Sequence, residues 1–244
     1  MKLIQLLLIV IASSVNASGQ SSNLFKIEVV NTKRSDRKSA HDFKRATASF
    51  YEDEYFQISN SCYGEFGGSL IFKDKASGVR YICGATCPVI INKLNDQYLV
   101  TNTLAHMRGS SEILAIDNPR ALKVVVETKV EKKPRQVVIN LLPEIAKPKN
   151  GITIILDSVG VFTLGSFPFD GQLYHVVTDF KTTFLAQVTQ GKYAKVAAIA
   201  DFGLWTYEPE MIKTVDGHYV VFYDNQKEKG YLEVTGNTLT LFRY

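Results

Sequence analysis

Long apolar segments are almost missing from this sequence: the first dozen residues form the single extended apolar run in 244 residues. A multi-pass membrane protein is therefore excluded, since each helical span needs about 20 consecutive apolar residues. The 16 glycines and 7 prolines follow no period of three, and no heptads run through the chain, so collagen and coiled coil are excluded too. Hydrophobic residues make up 45% of the chain, which argues against disorder as its main state.

The apolar run at the start of the chain has the three parts of a secretory signal. Lys2 supplies the positive start, residues 3–12 the apolar core, and residues 15–17 (VNA) a small-residue cleavage site. This core is too short to span a bilayer. We therefore predict a signal peptide over residues 1–17 and a mature protein that begins at Ser18, has no membrane span and is secreted or periplasmic.

The charge balance shows no strong excess of either sign. The net charge of +4 falls to +3 when Lys2 leaves with the signal peptide. Part of the remaining excess lies in residues 33–44 (KRSDRKSAHDFK), where Asp36 and Asp42 dilute the basic side chains. We predict that residues 33–44 form a solvated loop, that residues 18–46 form a polar leader with a possible closing strand, and that nucleic acid is not a partner.

Cysteines are few, with only Cys62, Cys83 and Cys87 in the chain. In an exported protein a disulfide is expected, and the odd count leaves one thiol over. We predict a disulfide between Cys83 and Cys87, which a turn could bring together; alternatively, Cys62 pairs with one of them across neighbouring strands. A zinc site needs a fourth ligand and this stretch contains no histidine, so no metal is predicted.

Helical periodicity is also scarce, and short runs of β-branched and aromatic residues dominate after residue 47. Examples are residues 70–72 (LIF), 124–126 (VVV), 152–156 (ITIIL) and 219–223 (YVVFY), each bounded by turn residues. Such runs at this spacing are typical of antiparallel strands. The sequence therefore predicts an all-β fold.

Internal similarity adds to this prediction. Residues 68–117 and 151–201 each begin with a glycine and an apolar strand that ends in Asp74 or Asp157, and each ends in an apolar strand followed by Asp. Four antiparallel strands in a segment of about 50 residues match one propeller blade or one sheet of a sandwich. A marker made of a turn and an apolar strand recurs at residues 53, 95, 133, 170 and 216.

The spacing of these markers is roughly 40 residues, close to the repeat of propeller blades. We therefore predict that residues 47–244 form one domain, a compact β-propeller of about five blades. Residues 24–30 are expected to pair with the final strand, residues 238–242, because closing the ring removes open sheet edges. A β-sandwich is the alternative.

The sequence contains none of the complete catalytic motifs that we considered. The chain has no G-x-S-x-G, no H-E-x-x-H and no glycine-rich phosphate loop that leads into a helix, so no cofactor is predicted. Glycoside hydrolysis needs only two suitably spaced carboxylates, which acids from different blades could supply. The candidates are Asp53, Glu54, Glu65, Asp74, Glu112, Asp157, Asp179 and Asp201.

Two segments carry candidate binding residues. Tyr55, Tyr63 and Phe66 lie close together in the sequence with acidic residues such as Glu65 among them. Ring faces and carboxylates together are what sugar and peptide recognition uses.

The second segment is a polar loop after a strand that carries His106 and Arg108 before a glycine, and functional groups are often displayed on such loops. From both segments we predict a noncatalytic binding or scaffolding module for a carbohydrate, peptide or protein partner. The alternative is a small propeller glycoside hydrolase.

Overall fold

A computed structural model describes residues 24–125, 151–225 and 227–244. The predicted signal peptide, residues 1–17, and the turn marker at residue 133 lie outside these ranges. Within them the protein is all-β, as predicted, and its helical elements are short 3-10 turns at Arg34–Asp36, Ala40–Asp42, Gly64–Phe66 and Pro119–Ala121. None of the helical segments in these ranges has the length and apolarity to cross a bilayer.

The strands form four sheets, which we number I to IV in chain order. Sheet I has the order β2 (Tyr51–Glu52), β3 (Phe56–Cys62), β4 (Gly68–Asp74), β5 (Arg80–Gly84) and β9 (Lys123–Val124). Sheet II has the order β10 (Thr153–Val159), β8 (Ser110–Ile116), β7 (Gln97–Leu104) and β6 (Pro88–Leu94).

Sheets III and IV come from the second half of the chain, apart from one strand. Sheet III has the order β11 (Phe162–Phe169), β12 (Gln172–Thr178), β13 (Thr183–Thr189) and β14 (Lys192–Ala200). Sheet IV has the order β1 (Lys26–Asn31), β18 (Thr238–Arg243), β17 (Lys229–Thr235), β16 (Tyr219–Asp224) and β15 (Met211–Lys213).

The first and last strands of the described chain pair with each other. β1 runs parallel to β18, with Lys26 opposite Thr238 and Asn31 opposite Arg243. This confirms the predicted pairing of residues 24–30 with residues 238–242. Every other strand pair in the four sheets is antiparallel, so this parallel pair joins the beginning of the domain to its end.

Neighbouring sheets pack face to face, as in a β-sandwich. Sheets I and II share an apolar core in which Phe56 and Phe72 meet Tyr98, and sheets III and IV share a second core that includes Leu164 and Leu232. Strand alternation makes this possible, because Phe56 is buried while the next residue, Gln57, faces solvent.

The interface between sheets II and III contains a row of buried polar side chains. Asn92 Nδ2 donates to Ser166 Oγ at 3.0 Å, and the hydroxyls of Thr101 and Ser166 lie 2.5 Å apart. Further along, the Ser111 and Thr163 hydroxyls are 2.8 Å apart. Buried hydroxyl and amide groups that find partners in this way are fully compatible with a folded interior. Sheets II and III are thus joined by hydrogen bonds and by Val89 and Ile90 of β6, which belong to the apolar core of sheets III and IV.

A closed propeller of five blades is not found among the described residues, and the packing fits the sandwich alternative. The physical reason lies at the two ends of the stack. The outer face of sheet I is polar and exposed at Gln57 and Ser59, and the outer face of sheet IV is covered by Phe43 and Ala40 of the leader. These two outer faces therefore do not meet to complete a ring.

The turn markers nevertheless identify a real repetition. The markers at residues 53, 95, 170 and 216 lie at the first hairpin of sheets I, II, III and IV, one per sheet. Asn95, Asp96 and Asp170 adopt positive φ there, which asparagine and aspartate tolerate in tight turns. The similarity between residues 68–117 and 151–201 does not follow the sheets, because β5 stays in sheet I whereas its counterpart β11 begins sheet III.

Candidate functional site

Every second connection between consecutive strands lies at the same end of the stack of sheets, which we call the loop end. It consists of residues 63–67, 85–87, 105–109, 159–161, 179–182 and 201–210. Contacts link these segments in order: Gly160 N–H donates to the Gly109 carbonyl at 3.0 Å, and Gly109 lies against the Phe180 ring. The short hairpin turns of the markers lie at the opposite end.

A disulfide anchors the first of these loops, but its pairing differs from the prediction. Cys62 is bonded to Cys87, and Cys83 is the free, buried thiol. The prediction of a Cys83–Cys87 disulfide is therefore wrong, and the alternative that used Cys62 is confirmed. Cys83 lies opposite Leu70 in the β4–β5 ladder and faces the core between sheets I and II, whereas Cys62 ends β3 and Cys87 precedes β6.

Burial governs the chemistry of the remaining thiol. Removal from water raises the pKa of the Cys83 thiol to about 12, because the charged thiolate is poorly stabilised in an apolar interior. Reactive cysteines have lowered pKa values and partial exposure. Cys83 is therefore a packing residue and not a nucleophile.

The structure brings five of the six predicted binding residues to the loop end. Glu65 and His106 meet directly, with 3.3 Å between Glu65 Oε2 and His106 Nδ1. Tyr63 and Phe66 lie on the same loop as Glu65, and Arg108 on the same loop as His106. The carboxylate–imidazole contact therefore ties the β3–β4 loop to the β7–β8 loop.

The sixth residue, Tyr55, lies at the opposite end. The seven residues of β3 separate it from Tyr63, a distance of about 25 Å at the usual rise of a strand. The Lys93 ammonium lies 5.0 Å from the centre of the Tyr55 ring, and it also pairs with Asp53 at 3.0 Å. The aromatic segment of the sequence thus contributes to two separate surfaces.

Large apolar side chains project into solvent at the loop end. Met107 is 92% exposed and Phe66 is 84% exposed, and Tyr207 on the β14–β15 connection is 70% exposed. Tyr63 and Val159 are also exposed. Several large exposed apolar side chains at one end of a protein indicate a candidate interaction site.

Strained backbone holds part of this surface in place. Met107 has φ 53° and Phe180 has φ 67°, and large side chains rarely occupy this left-handed region. Such strain persists only where surrounding contacts enforce it, and it is concentrated at functional sites. Here Gly109 packs against the Phe180 ring, and Phe180 N–H donates to Thr178 Oγ1 at 3.0 Å.

An aromatic chain extends the surface towards sheet IV. The Phe180 ring centre lies 6.2 Å from that of Trp205, and Trp205 lies 5.2 Å from Tyr207 in an edge-to-face arrangement. The sequence points to Trp205 and Tyr207 as a smaller aromatic candidate, with a core position more expected than a binding role, whereas Met107 and Val159 are not predicted as site residues. A signal for Met107 was its place between His106 and Arg108, whereas the exposure of Tyr207 depends on the tertiary fold.

Three of the eight candidate carboxylates accept hydrogen bonds within turns. Asp53 Oδ1 accepts the N–H groups of Tyr55 and Phe56, and Asp74 Oδ1 accepts those of Ala76 and Ser77. Asp179 Oδ1 likewise accepts turn N–H groups. These contacts lower the pKa of all three carboxyls, although burial opposes the effect. Within the described ranges no group of three or more His, Cys, Asp or Glu side chains could hold a metal ion.

Comparison with known proteins adds no relative. The chain matches no family model, and neither curated proteins nor solved structures show significant similarity to it. The loop end itself offers exposed apolar side chains, with the Glu65–His106 pair and the Arg108 guanidinium beside Met107.

Proposed function

We propose that this protein is an exported, noncatalytic binding module that docks a protein partner through its loop end. The observation that carries the proposal is the exposure of Phe66, Met107 and Tyr207 on loops that covalent and hydrogen-bonded contacts hold in place. The apolar residues at the start of the chain and the disulfide support export to an oxidising compartment.

A protein partner suits this surface better than a small ligand. The apolar side chains project outward and do not line an enclosed cavity, so they can fill pockets on another surface. Large apolar and aromatic side chains near the centre of an interface supply most of its binding energy. Arg108 and the Glu65–His106 pair lie beside Met107 in the manner of a polar rim.

Rigid presentation strengthens the argument. The disulfide ties the start of the loop that carries Phe66 to the β5–β6 connection. Within the loop, Tyr63 N–H donates to the Gly67 carbonyl at 2.7 Å and Gly67 N–H donates to the Gly64 carbonyl at 3.1 Å. A loop already held in its bound shape loses less entropy when the partner docks. The exposed side chains are therefore presented in a form that favours tight binding.

The test compares serine variants at the two ends of the stack. The double variant Phe66→Ser/Met107→Ser removes the apolar contacts at the loop end, and Val215→Ser changes an exposed apolar residue at the opposite end. Partners captured from the surface and secreted proteins of the source cells are purified and titrated against each variant. We expect about a 100-fold loss of affinity for the double variant, equal to about 2.7 kcal/mol, and none for Val215→Ser.

Equal affinity of the wild type and the double variant for every purified partner would exclude the loop end as the docking surface. Loss of binding in Val215→Ser alone would place the interface at the opposite end. Far-UV circular dichroism and urea unfolding of each variant separate lost contacts from lost folding.

A further inference from the structure

A concave surface lies on the outer face of sheet IV, away from Phe66 and Met107. It has a volume of about 370 Å³, within the usual range for small-ligand sites. Residues 38–40 of the leader form one wall, the β14–β15 connection a second, and β16, β17 and the last residue of the chain the remainder. We call it the sheet IV cleft.

Two partly exposed rings give the cleft an apolar side. Phe222 and Tyr244 both line it. Tyr244 also holds the leader wall in place, because Lys38 N–H donates to its hydroxyl at 3.0 Å and the hydroxyl donates to the Lys38 carbonyl. Phe222 is supported from behind by Phe43, whose ring centre is 5.9 Å away. Packing and hydrogen bonds therefore hold both rings of the cleft.

Charged groups around these rings are mostly paired. Asp224 Oδ2 accepts from Lys229 Nζ at 2.6 Å, and the carboxylate of Glu210 accepts two hydrogen bonds from Arg45 at 2.5 and 2.8 Å. The lining also carries Lys38 and Glu208, so with Arg45 three cations face three anions around the cleft. Such a surface gives neither a cation nor an anion a strong electrostatic advantage.

From this combination we infer that the sheet IV cleft binds a neutral carbohydrate. A sugar ring presents an apolar face of C–H groups and a rim of hydroxyls that both donate and accept. The rings of Phe222 and Tyr244 can stack on the apolar C–H face of the sugar. The Asp224 carboxylate can accept hydrogen bonds from the sugar hydroxyls, and the Lys229 ammonium can donate to them. Glu208, which also lines the cleft, adds a further acceptor.

This inference does not depend on the proposed protein partner. The cleft and the apolar side chains Phe66 and Met107 are separate surfaces, so either function can be lost without the other. If both hold, the protein would connect a glycan to a protein partner.

The experiment uses the mature chain, labelled with ¹⁵N, and neutral oligosaccharides as probes: cellobiose, maltose and N,N′-diacetylchitobiose with their longer homologues. Each is titrated to about 10 mM, tenfold above a dissociation constant of about 1 mM. We expect shifts of the backbone amides of Lys229 and Gly230 with at least one neutral series. Tyr244→Leu and Asp224→Asn should each weaken that binding about tenfold, and Phe66→Ser/Met107→Ser should leave it unchanged.

Three results would overturn the inference: no shift with any neutral probe, shifts only with heparin fragments or with spermidine, or neutral-glycan binding that both cleft variants retain. Unfolding midpoints of Tyr244→Leu and Asp224→Asn are measured in parallel. Asp224→Asn keeps the shape of the side chain, so it tests the contact even if Tyr244→Leu loosens the leader.

Discussion

Asn92 donates from one amide nitrogen to two acceptors of Ser166, the hydroxyl at 3.0 Å and the carbonyl at 3.1 Å, and so joins sheet II to sheet III. Both residues are buried, and Thr101 shares the same hydroxyl. The link matters because the two apolar cores lie on either side of this layer, which is itself held by polar contacts.

The first prediction concerns this layer. Ser166→Val removes the shared hydroxyl and leaves a polar group of Thr101 without its partner in the interior. Such losses destabilise proteins by about 1 to 3 kcal/mol. Urea unfolding should show a decrease of that size, while Ser59→Ala, on the exposed face of β3, should change the free energy of unfolding by less than about 0.5 kcal/mol. Equal stability of the two variants would contradict a structural role for the hydroxyl.

The second prediction concerns the disulfide. Cys62→Ser/Cys87→Ser should lower the free energy of unfolding by about 3 kcal/mol, because the bridge closes a loop of 25 residues and restricts the unfolded chain. The measurement is urea unfolding of the double variant beside oxidised wild type. The wild type in a dithiol reductant should match the variant, and a reduced wild type as stable as the oxidised form would rule out this contribution.

The third prediction concerns the free thiol. Burial raises the pKa of Cys83 to about 12, so at pH 8 the thiolate is scarce and shielded from reagents. A thiol-reactive disulfide reagent should therefore modify native protein very slowly and modify one thiol per chain in urea. Rapid labelling of folded protein would show that Cys83 is accessible.

The fourth prediction concerns acid stability. His175 is fully buried with Nδ1 unpaired, and desolvation lowers its pKa from 6.5 to about 3. Below pH 6.5 the unfolded chain binds a proton at this residue that the folded chain does not, so stability falls as the pH falls towards 3. Between pH 7 and pH 5 this residue alone should remove about 2 kcal/mol from the free energy of unfolding.

The control for this prediction is His175→Gln, which keeps polarity and cannot titrate. Its stability should depend less on pH over the same interval, although its stability at pH 7 is lower. A parallel pH dependence in wild type and variant would assign the acid sensitivity to other groups.

Local patterns predicted much of this fold, because the relevant information is local. Strand alternation identified the all-β class, and the turn markers at residues 95, 170 and 216 each introduce a sheet. The number and packing of the sheets were not predictable in this way. They depend on which face of each sheet packs against another sheet. Phe43, which lies in the polar leader, covers the outer face of sheet IV, where a further sheet would have to pack.

In the candidate site, too, local sequence patterns and tertiary packing determine different features. Tyr55 and Tyr63 are close in sequence, yet they lie at opposite ends of β3, and the strand length between them decides this. Glu65 and His106 are distant in sequence, yet they meet because their loops follow strands of adjoining sheets. The disulfide pairing likewise depends on which cysteines face the core, which spacing in the sequence does not reveal.

The parallel pairing of β1 with β18 has a consequence for the timing of folding. Sheet IV takes an edge strand from the start of the domain and the neighbouring strand from its last residues. A nascent chain therefore cannot complete this sheet until β18 has been synthesised, and contacts so distant in sequence form slowly. Under the proposed export, this delay would keep the chain open while it passes through a translocation pore, and the domain would close only on arrival.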